Sequence, residues 1–330
     1  HVLVSKFADH LPLYRIQERF ARSGVRISRQ TMCNWVLELG KVVSPIYRLM
    51  LERVLSGSTV FVDESPVKLM VKGLGACRQA YMWAYVGGGG ADPPYRAYEF
   101  CLDRKYENVG RTLAKYRGHM HSDQYGAYLN LSKNDGVLWV PCMVHIRRKF
   151  VEAEQGDPEF RMKILRLIRN LFRFERVAWA RGPAERLRIR AEKEAPVLDR
   201  MSAMVKDRLI AGGLLPKSNF RNALEYFMTA EPHVRNYLKN PDARLDNNPA
   251  ERALRPLVIG RKNWLFVGSR DGGEATAALL SLVQTCRAAG INPQEYLDDV
   301  LRRLMSHPVE RIEELLPDKW KAEKDKAAKV

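Results

Sequence analysis

The sequence has no run of apolar residues approaching the roughly 18 that a membrane-spanning helix requires, and no signal-peptide pattern at its start. It also has no G-x-S-x-G motif and no CxxC pair among its five cysteines. These absences argue against a membrane or secreted protein, a serine hydrolase and a zinc site within these residues. The odd number of cysteines indicates a reducing compartment, so we expect a cytoplasmic protein.

Negative charge is scarce relative to positive charge. The 330 residues contain 55 Lys plus Arg against 38 Asp plus Glu, a formal net charge of +17. A field of this sign attracts polyanions and speeds encounters with them. One alternative is that the basic surface only keeps the protein soluble. Another is that it binds an anionic membrane, but the sequence contains no separate basic amphipathic helix that could serve as a membrane anchor. We therefore expect nucleic acid as the partner.

Residues 1–50 predict a helical segment in which two helices flank a turn at residues 23–25, and Ser28 is suited to cap the second helix. This arrangement resembles a helix-turn-helix, whose second helix enters a DNA groove. The alternative is a helical hairpin that packs against the rest of the protein. In the first case, the residues that face the groove are Arg29, Gln30 and Asn34.

The stretch from residue 51 to residue 150 alternates between predicted strands and helices. Strands are expected at 59–62, 80–86, 96–100, 118–122 and 137–140, and helices at 108–116, at 124–131 and from 145. The glycines at 87–90 and the prolines at 93 and 94 predict a hairpin loop. This order predicts an α/β fold with a ribonuclease H-like core, in which helices cover both faces of a mixed sheet.

Residues 151–245 have helical periodicity and predict an all-helical insertion, after which the core resumes at 246–305 and a C-terminal tail follows at 306–330. We expect residues 311–316 to be exposed and residues 319–329 to be disordered. Four arginines recur at steps of three and four on one face of a predicted helix, which makes the face either a phosphate-binding surface or simply a solvated one. This arginine stripe consists of Arg166, Arg169, Arg173 and Arg176.

Three carboxylates lie where such a core would bring them together. Asp63 follows the first predicted strand, Asp123 follows the fourth, and Glu251 lies in the first turn of a predicted helix. Each alone is a common turn former or helix cap. Together, two strand-borne aspartates and a helix-borne glutamate can hold two divalent cations, Mg²⁺ or Mn²⁺, against a phosphodiester. Glu64 is a weaker fourth candidate, and we expect it to face solvent.

Basic residues flank the three carboxylates and are candidates for contacts with the DNA backbone. One group follows the fifth predicted strand, and another shares the helix of Glu251 and the residues after it. Trp264 either stacks on an unpaired base or packs in the core. These candidates are His145, Arg147, Arg148, Lys149, Arg252, Arg255, Arg261, Lys262 and Trp264.

Motifs spread over nearly the whole chain resemble, in order, the insertion-sequence-66 family of bacterial DDE transposases. They lie at residues 6–14, 62–67, 122–128, 144–150, 247–273 and 307–317, with Ser65 where a threonine is commoner. The resemblance implies a ribonuclease H-like core, divalent metal, a helical insertion and an N-terminal zinc-binding segment. No such segment occurs in this sequence, and because the sequence starts at His1 rather than Met, we expect a fragment whose upstream part is missing.

The sequence is therefore interpreted as a metal-dependent transposase that cleaves DNA at the ends of a mobile element and joins the freed 3′ hydroxyl to target DNA. Its expected partners are double-stranded DNA and further copies of itself, as a homodimer or a higher oligomer. A related ribonuclease H-like nuclease and a DNA-binding regulator derived from an inactive transposase are the alternatives. Strand-transfer products distinguish the first alternative, and metal-dependent cleavage distinguishes the second.

Overall fold

The computed structural model describes residues 1–73, 75–87 and 95–327 of a mixed α/β protein. The chain divides into two compact units: unit 1 comprises His1–Ala114 and Asn248–Val330, and unit 2 comprises Lys115–Asn247. The predicted glycine- and proline-rich hairpin loop lies outside the described residues, apart from Gly87 at the end of a strand. The strands are β1 (Thr59–Val71), β2 (Ala76–Gly87), β3 (Arg96–Cys101), β4 (Gly118–Ser122) and β5 (Val137–Pro141).

Helices account for most of the remaining described residues. Short 3₁₀ segments at Asn236–Lys239 and Val309–Leu315 and a π-helical turn at Arg190–Glu194 supplement them. The α-helices are α1 (Val2–Phe7), α2 (Leu13–Arg22), α3 (Arg29–Val42), α4 (Ser44–Leu55), α5 (Tyr106–Thr112), α6 (Gly126–Leu131), α7 (Met143–Glu152), α8 (Pro158–Trp179), α9 (Pro183–Ile189), α10 (Ala195–Ile210), α11 (Asn219–Ala230), α12 (Asn248–Trp264), α13 (Arg270–Ala288), α14 (Pro293–Arg303) and α15 (Pro317–Ala327).

The N-terminal helices of unit 1 form as the sequence predicts. Ser28 caps α3, since its Oγ accepts a hydrogen bond from the Thr31 N–H at 3.0 Å. The turn between α2 and α3 passes through Gly24 at φ 77°, a conformation that favours glycine. Ile16 and Met32 are buried between the two helices. Use of this helix pair as a DNA-binding helix-turn-helix stays a prediction.

The sheet of unit 1 is antiparallel, with β2 between β1 and β3. β1 is much longer than the predicted strand at 59–62, and this prediction was wrong. Pairing with β2 continues from Val60 opposite Gly87 to Val71 opposite Ala76, and residues 65, 67 and 69 are buried in alternation with more exposed neighbours. Asp63 therefore lies inside β1, opposite Ala84, and not after its end.

The C-terminal residues of unit 1 contradict the prediction of an exposed, disordered tail. Leu315 and Leu316 are fully buried, and α15 continues the ordered chain to the end of the described residues. Trp320 is also buried, and its Nε1 donates to the Asp299 carboxylate of α14 at 2.7 Å. The prediction failed because three apolar side chains among many charged ones provide enough buried area to fix this segment.

In unit 2, β4 and β5 pair in parallel, from Gly118 opposite Val137 to Ser122 opposite Pro141. Both strands lie close to their predicted positions. Residues 151–245 are all described and form helices and turns without a strand. Helices α7, α8, α10 and α11 share one apolar core, to which Phe150, Ile168, Met201 and Phe227 contribute. The secondary structure of this segment agrees with the predicted helical composition.

A buried ionic network lies within the helices of unit 2. The guanidinium of Arg190 is fully buried and donates from Nε and Nη2 to the two carboxylate oxygens of Glu175, at 2.5 and 3.1 Å. Its remaining N–H groups donate to the carbonyls of Tyr237, Asn240 and Ala243 at 2.7 to 2.9 Å. This arginine therefore fastens the chain at 237–243 to α8.

The π-helical turn explains how Glu194 enters the same network. Pro196 lacks an N–H and cannot donate to the carbonyl of residue 192, so the helix widens at this point. Glu194 is fully buried and its Oε2 accepts from the Tyr237 hydroxyl at 2.6 Å. Burial, and then the nearby charge of Glu175, raise the pKa of Glu194 to about 8.

This shift predicts how the stability of the protein changes with pH. Between about pH 4.5 and about pH 8, Glu194 is protonated in the folded state and ionised in the unfolded state, so the free energy of unfolding falls as pH rises. Glu194→Gln keeps the hydrogen bond to Tyr237 and is expected to raise the melting temperature near pH 8 and to flatten this decline. Thermal denaturation across this range measures the effect, and parallel curves for variant and wild type would contradict it.

Candidate active site

Asp63 is the first of the predicted carboxylates, and β1 holds it partly buried beyond an apolar run that packs in the core. Its Oδ1 accepts the backbone N–H of Glu64 at 2.9 Å. The expectation that Glu64 faces solvent was wrong. The Glu64 side chain is only 3% exposed and forms an ion pair with Arg104, because a carboxylate buried at this depth needs a charged partner.

Glu251 lies in the first turn of α12, where the helix dipole favours a negative charge. Helix α12 packs against β1 and β2, so unit 1 brings the helix of Glu251 onto the strand of Asp63. Arg261 fixes this contact by donating to the Ser65 hydroxyl at 2.9 Å and to the carbonyl of Pro66. On β3, the Tyr98 hydroxyl donates to the carbonyl of Ala253.

The chain beyond α12 returns to the same strand. Val267 is buried and pairs with the C-terminal half of β1. Its N–H donates to the backbone carbonyl of Lys68 at 2.7 Å, and its carbonyl accepts the backbone N–H of Met70 at 2.8 Å. Trp264 is partly buried, with the Lys6 ammonium 5.6 Å from its ring centre. Val267 therefore packs against β1, Leu265 and Phe266 are exposed, and base stacking by Trp264 stays a prediction.

Asp123 belongs to unit 2 and follows directly after β4, as predicted. Its Oδ1 accepts the backbone N–H of Tyr125 at 2.9 Å, which fixes the carboxylate in a tight turn. Tyr226 of α11 lies close by: burial, and then the charge of Asp123, raise the pKa of its phenol. Gln124 joins the two segments by donating from Nε2 to the carbonyl of Tyr226 at 2.9 Å.

Unit 2 also holds the segment that leads into α12. The Arg244 N–H donates to Nε2 of His121 at 2.9 Å, and the Nδ1 of His119 lies 3.0 Å from the Asn240 side chain. The Met143 N–H donates to the carbonyl of Leu245 at 3.0 Å, and the Asn247 N–H donates to the Cys142 thiol at 3.2 Å. The polypeptide is thus fixed to β4 and α7 up to four residues before Glu251.

These contacts of His119 and His121 were not predicted from the sequence. His119 and His121 lie two residues apart, on one face of β4, and immediately precede Asp123. The available signal was the spacing of the two histidines, because residues two positions apart on a strand lie on the same face. It identifies a shared face of the strand, but it does not reveal which distant segment binds there.

The predicted DNA-binding residues fall into three places. Arg29, Gln30 and Asn34 are exposed on α3, where the Gln30 amide donates to Asn34 at 2.9 Å. Helix α7 exposes Arg147 and Arg148 and partly buries His145 and Lys149, while α12 and its end expose Arg252, Arg255 and Lys262. Arg261 is instead used to attach α12 to β1. Contact of these residues with DNA stays a prediction.

The donor atoms suit a hard divalent cation. Asp63, Asp123 and Glu251 all offer carboxylate oxygens and are only partly buried. Magnesium prefers oxygen ligands and retains several waters, so a few carboxylates suffice. Asp63 and Glu251 lie on packed elements of unit 1, and Asp123 lies in unit 2.

No helix within the described ranges combines the length and apolar character needed to cross a membrane.

Comparison with known proteins identifies the family. A family model described as "Transposase IS66 family" matches residues 1–275, and one described as "IS66 C-terminal element" matches residues 281–317. Among curated relatives, uncharacterized protein y4qI of Sinorhizobium fredii is 33% identical over 97% of this chain, and y4jD of the same organism is 30% identical over 98%. The chain spans only 62% and 65% of the lengths of these two relatives. It belongs to the IS66 transposase family.

Proposed function

We propose that this chain carries the catalytic centre of a DNA transposase that cleaves phosphodiester bonds at the ends of a mobile element and joins the freed 3′ hydroxyl to target DNA. One structural observation carries the proposal: within a member of a transposase family, the helix of Glu251 packs on the strand of Asp63. Asp123, held in a tight turn directly after β4, completes the proposed set of three carboxylates.

Two divalent cations, Mg²⁺ or Mn²⁺, would supply the activation of the attacking water or hydroxyl and the stabilisation of the leaving oxygen. Asp63 would help to hold both cations, Asp123 would hold one and Glu251 the other. The ion pair with Arg104 already neutralises Glu64, which therefore adds no further negative charge to this set. The contacts of Arg261 with Ser65 and Pro66 keep α12, and with it Glu251, attached to β1.

Exposed cations on two helices support the choice of DNA as substrate. Arg147 and Arg148 follow Asp123 in unit 2 on α7, and Arg252 and Arg255 follow Glu251 on the first turns of α12. Such residues can contact the phosphates on either side of a scissile bond and fix its position. The net charge of +17 draws the DNA towards the protein.

The protein is proposed to act in the cytoplasm and to assemble on DNA. The five cysteines are free thiols, which fits the reducing environment of the cytoplasm. Two ends of a mobile element must be processed together, so we propose that the protein acts on DNA as a homodimer or a higher oligomer. Light scattering of the protein–DNA complex would measure the number of copies.

The reaction is tested by incubating the protein with DNA that carries the element ends, target DNA and Mg²⁺. Joined products of donor and target support a transposase. Metal-dependent hydrolysis without joined products would instead indicate a ribonuclease H-like nuclease. Binding without any cleavage would indicate a DNA-binding regulator derived from a transposase.

Iron-directed cleavage of the polypeptide tests the shared metal site. Fe²⁺ can replace Mg²⁺ at oxygen ligands, and with ascorbate and peroxide it generates radicals that cut the chain close to the bound ion. We expect cuts near residues 63, 123 and 251, suppressed by excess Mg²⁺ and by Asp63→Asn. Cuts near only one of the three residues would contradict a site formed by all three.

A further inference from the structure

The arginine stripe lies on the exposed face of α8. Arg166, Arg169, Arg173 and Arg176 are all exposed, while Ile164, Ile168 and Leu171 on the opposite face are buried in the core of unit 2. At the spacing of an α-helix the four arginines lie within an arc of roughly 80° and span about 15 Å of the axis. The sequence left open whether this face binds phosphates or is only solvated.

The charges of the stripe are not neutralised by neighbouring acids. Within the part of the chain that the structure describes, none of the four arginines forms an ion pair. The two glutamates of α8 are engaged elsewhere: Glu159 pairs with Lys163 at 2.6 Å, and Glu175 pairs with the buried Arg190. Helix α8 therefore presents four uncompensated positive charges along one line.

Several other arginines of unit 2 form ion pairs with acidic residues. Five of them lie within 3.4 Å of a carboxylate, on α9, α10 and α11, in the π-helical turn and between α11 and the 3₁₀ segment at Asn236–Lys239. These pairs are Arg188 with Glu185 and Glu192, Arg190 with Glu175, Arg208 with Asp157, Arg221 with Glu225, and Arg235 with Asp199 and Glu231. The stripe therefore lacks the acidic partners that these five arginines of the same unit have.

This arrangement also has an energetic cost. Like charges three and four residues apart on a helix repel each other by roughly 0.2–0.5 kcal/mol per pair. A face that served only solubility would gain from acids placed between the arginines. A polyanion that binds along the helix removes the repulsion, so the face fits such a ligand better than it fits solvent.

We infer that the arginine stripe binds the phosphate backbone of duplex DNA, without regard to base sequence, and anchors DNA on unit 2. The inference rests on the proposed function, because it takes DNA as the partner. Over about 15 Å of axis a duplex presents roughly nine phosphates, more than enough to pair with four guanidinium groups. Guanidinium is well suited to this role, since it can donate two parallel hydrogen bonds to one phosphate.

The test replaces the four arginines by glutamine, which retains helix propensity and removes the charge. The matched control replaces four cations that already have acidic partners, Arg188, Lys206, Arg221 and Arg270, and so lowers the net charge by the same amount. Binding of a labelled duplex of arbitrary sequence, about three helical turns long, is measured over a range of salt concentrations without metal. Circular dichroism confirms that both variants fold.

For the stripe variant we expect the slope of log affinity against log salt to become shallower by about 3 to 4, and the affinity near 0.1 M salt to fall at least tenfold. For the control variant we expect the slope to change by less than about 1. Equal slopes for the stripe variant and the wild type would overturn the inference. Equal losses in the two variants would also overturn it, because the effect would then follow net charge alone.

Failure of the inference can be told apart from failure of the proposed function. If the wild-type protein produces joined DNA products and the stripe variant has an unchanged salt slope, only the role of the stripe is wrong. If the wild type does not bind the duplex at all, DNA is not the partner and both proposals fail. Cleavage by the stripe variant at low salt and saturating DNA is expected to persist, because the proposed carboxylates are untouched.

Discussion

Replacing Asp63 by asparagine is expected to abolish metal-dependent cleavage and strand transfer while leaving DNA binding largely intact. The amide keeps the shape of the carboxylate, and its oxygen can still accept the N–H of Glu64. It loses the negative charge with which Asp63 is proposed to hold the cations. Because each roughly 1.4 kcal/mol of lost transition-state stabilisation is a tenfold loss in rate, we expect activity to fall by several orders of magnitude.

Two measurements separate chemistry from binding in this variant: cleavage with Mg²⁺, and affinity for DNA without it. Asp135→Asn is the matched control, since it removes the same charge from an exposed aspartate beyond α6. The control should cleave like the wild type, and both variants should bind DNA about as well as it does. Wild-type cleavage by the Asp63 variant would remove this residue from the active site and favour a DNA-binding regulator.

The positions of the strands could be predicted from the sequence because each has a buried apolar run, but the extent of β1 could not. Beyond Val62 the strand alternates between buried and exposed residues and includes Pro66. Its continuation depends on the partner strand β2, which supplies hydrogen bonds as far as Ala76. Pairing between strands is a property of two segments, and the pattern of one segment does not contain it.

The three carboxylates could be proposed from the sequence because they lie within or directly after regular elements, where composition and order are informative. The supporting contacts were missed because they join residues far apart in sequence. His121 binds the backbone of Arg244, and Arg261 binds Ser65. The same limit explains the C-terminal error: the composition of residues 319–329 is that of a disordered tail, but Trp320 finds a partner in Asp299.

The buried network around Arg190 is a further set of contacts that the sequence does not reveal. The composition of residues 184–210 predicts a charged helix but does not identify which of its charged side chains are buried. In the structure Arg190 and Glu194 are fully buried, and their partners lie on α8 and at residues 237–243. A buried ion pair costs desolvation energy and gives little net stability compared with apolar residues, but it tolerates no loss of a single partner.

Arg190→Met is therefore expected to lower the free energy of unfolding by about 3–5 kcal/mol, because Glu175 would stay buried without its cation. Three backbone carbonyls, of Tyr237, Asn240 and Ala243, would lose their donor as well. These carbonyls precede the segment that runs past His121 to Glu251. We expect faster proteolysis at residues 237–247 together with the loss of stability, measured by denaturant unfolding and limited digestion.

Two further variants show whether the buried charge is the cause. Arg188→Met, two residues before Arg190 in the sequence, breaks only exposed ion pairs with Glu185 and Glu192 and should leave stability nearly unchanged. The double variant Arg190→Met with Glu175→Leu removes both buried charges and should recover part of the loss. Recovery should be incomplete, since the three carbonyls still lack a donor. A double variant no more stable than Arg190→Met alone would show that the carbonyl contacts, rather than the ion pair, carry the effect of Arg190.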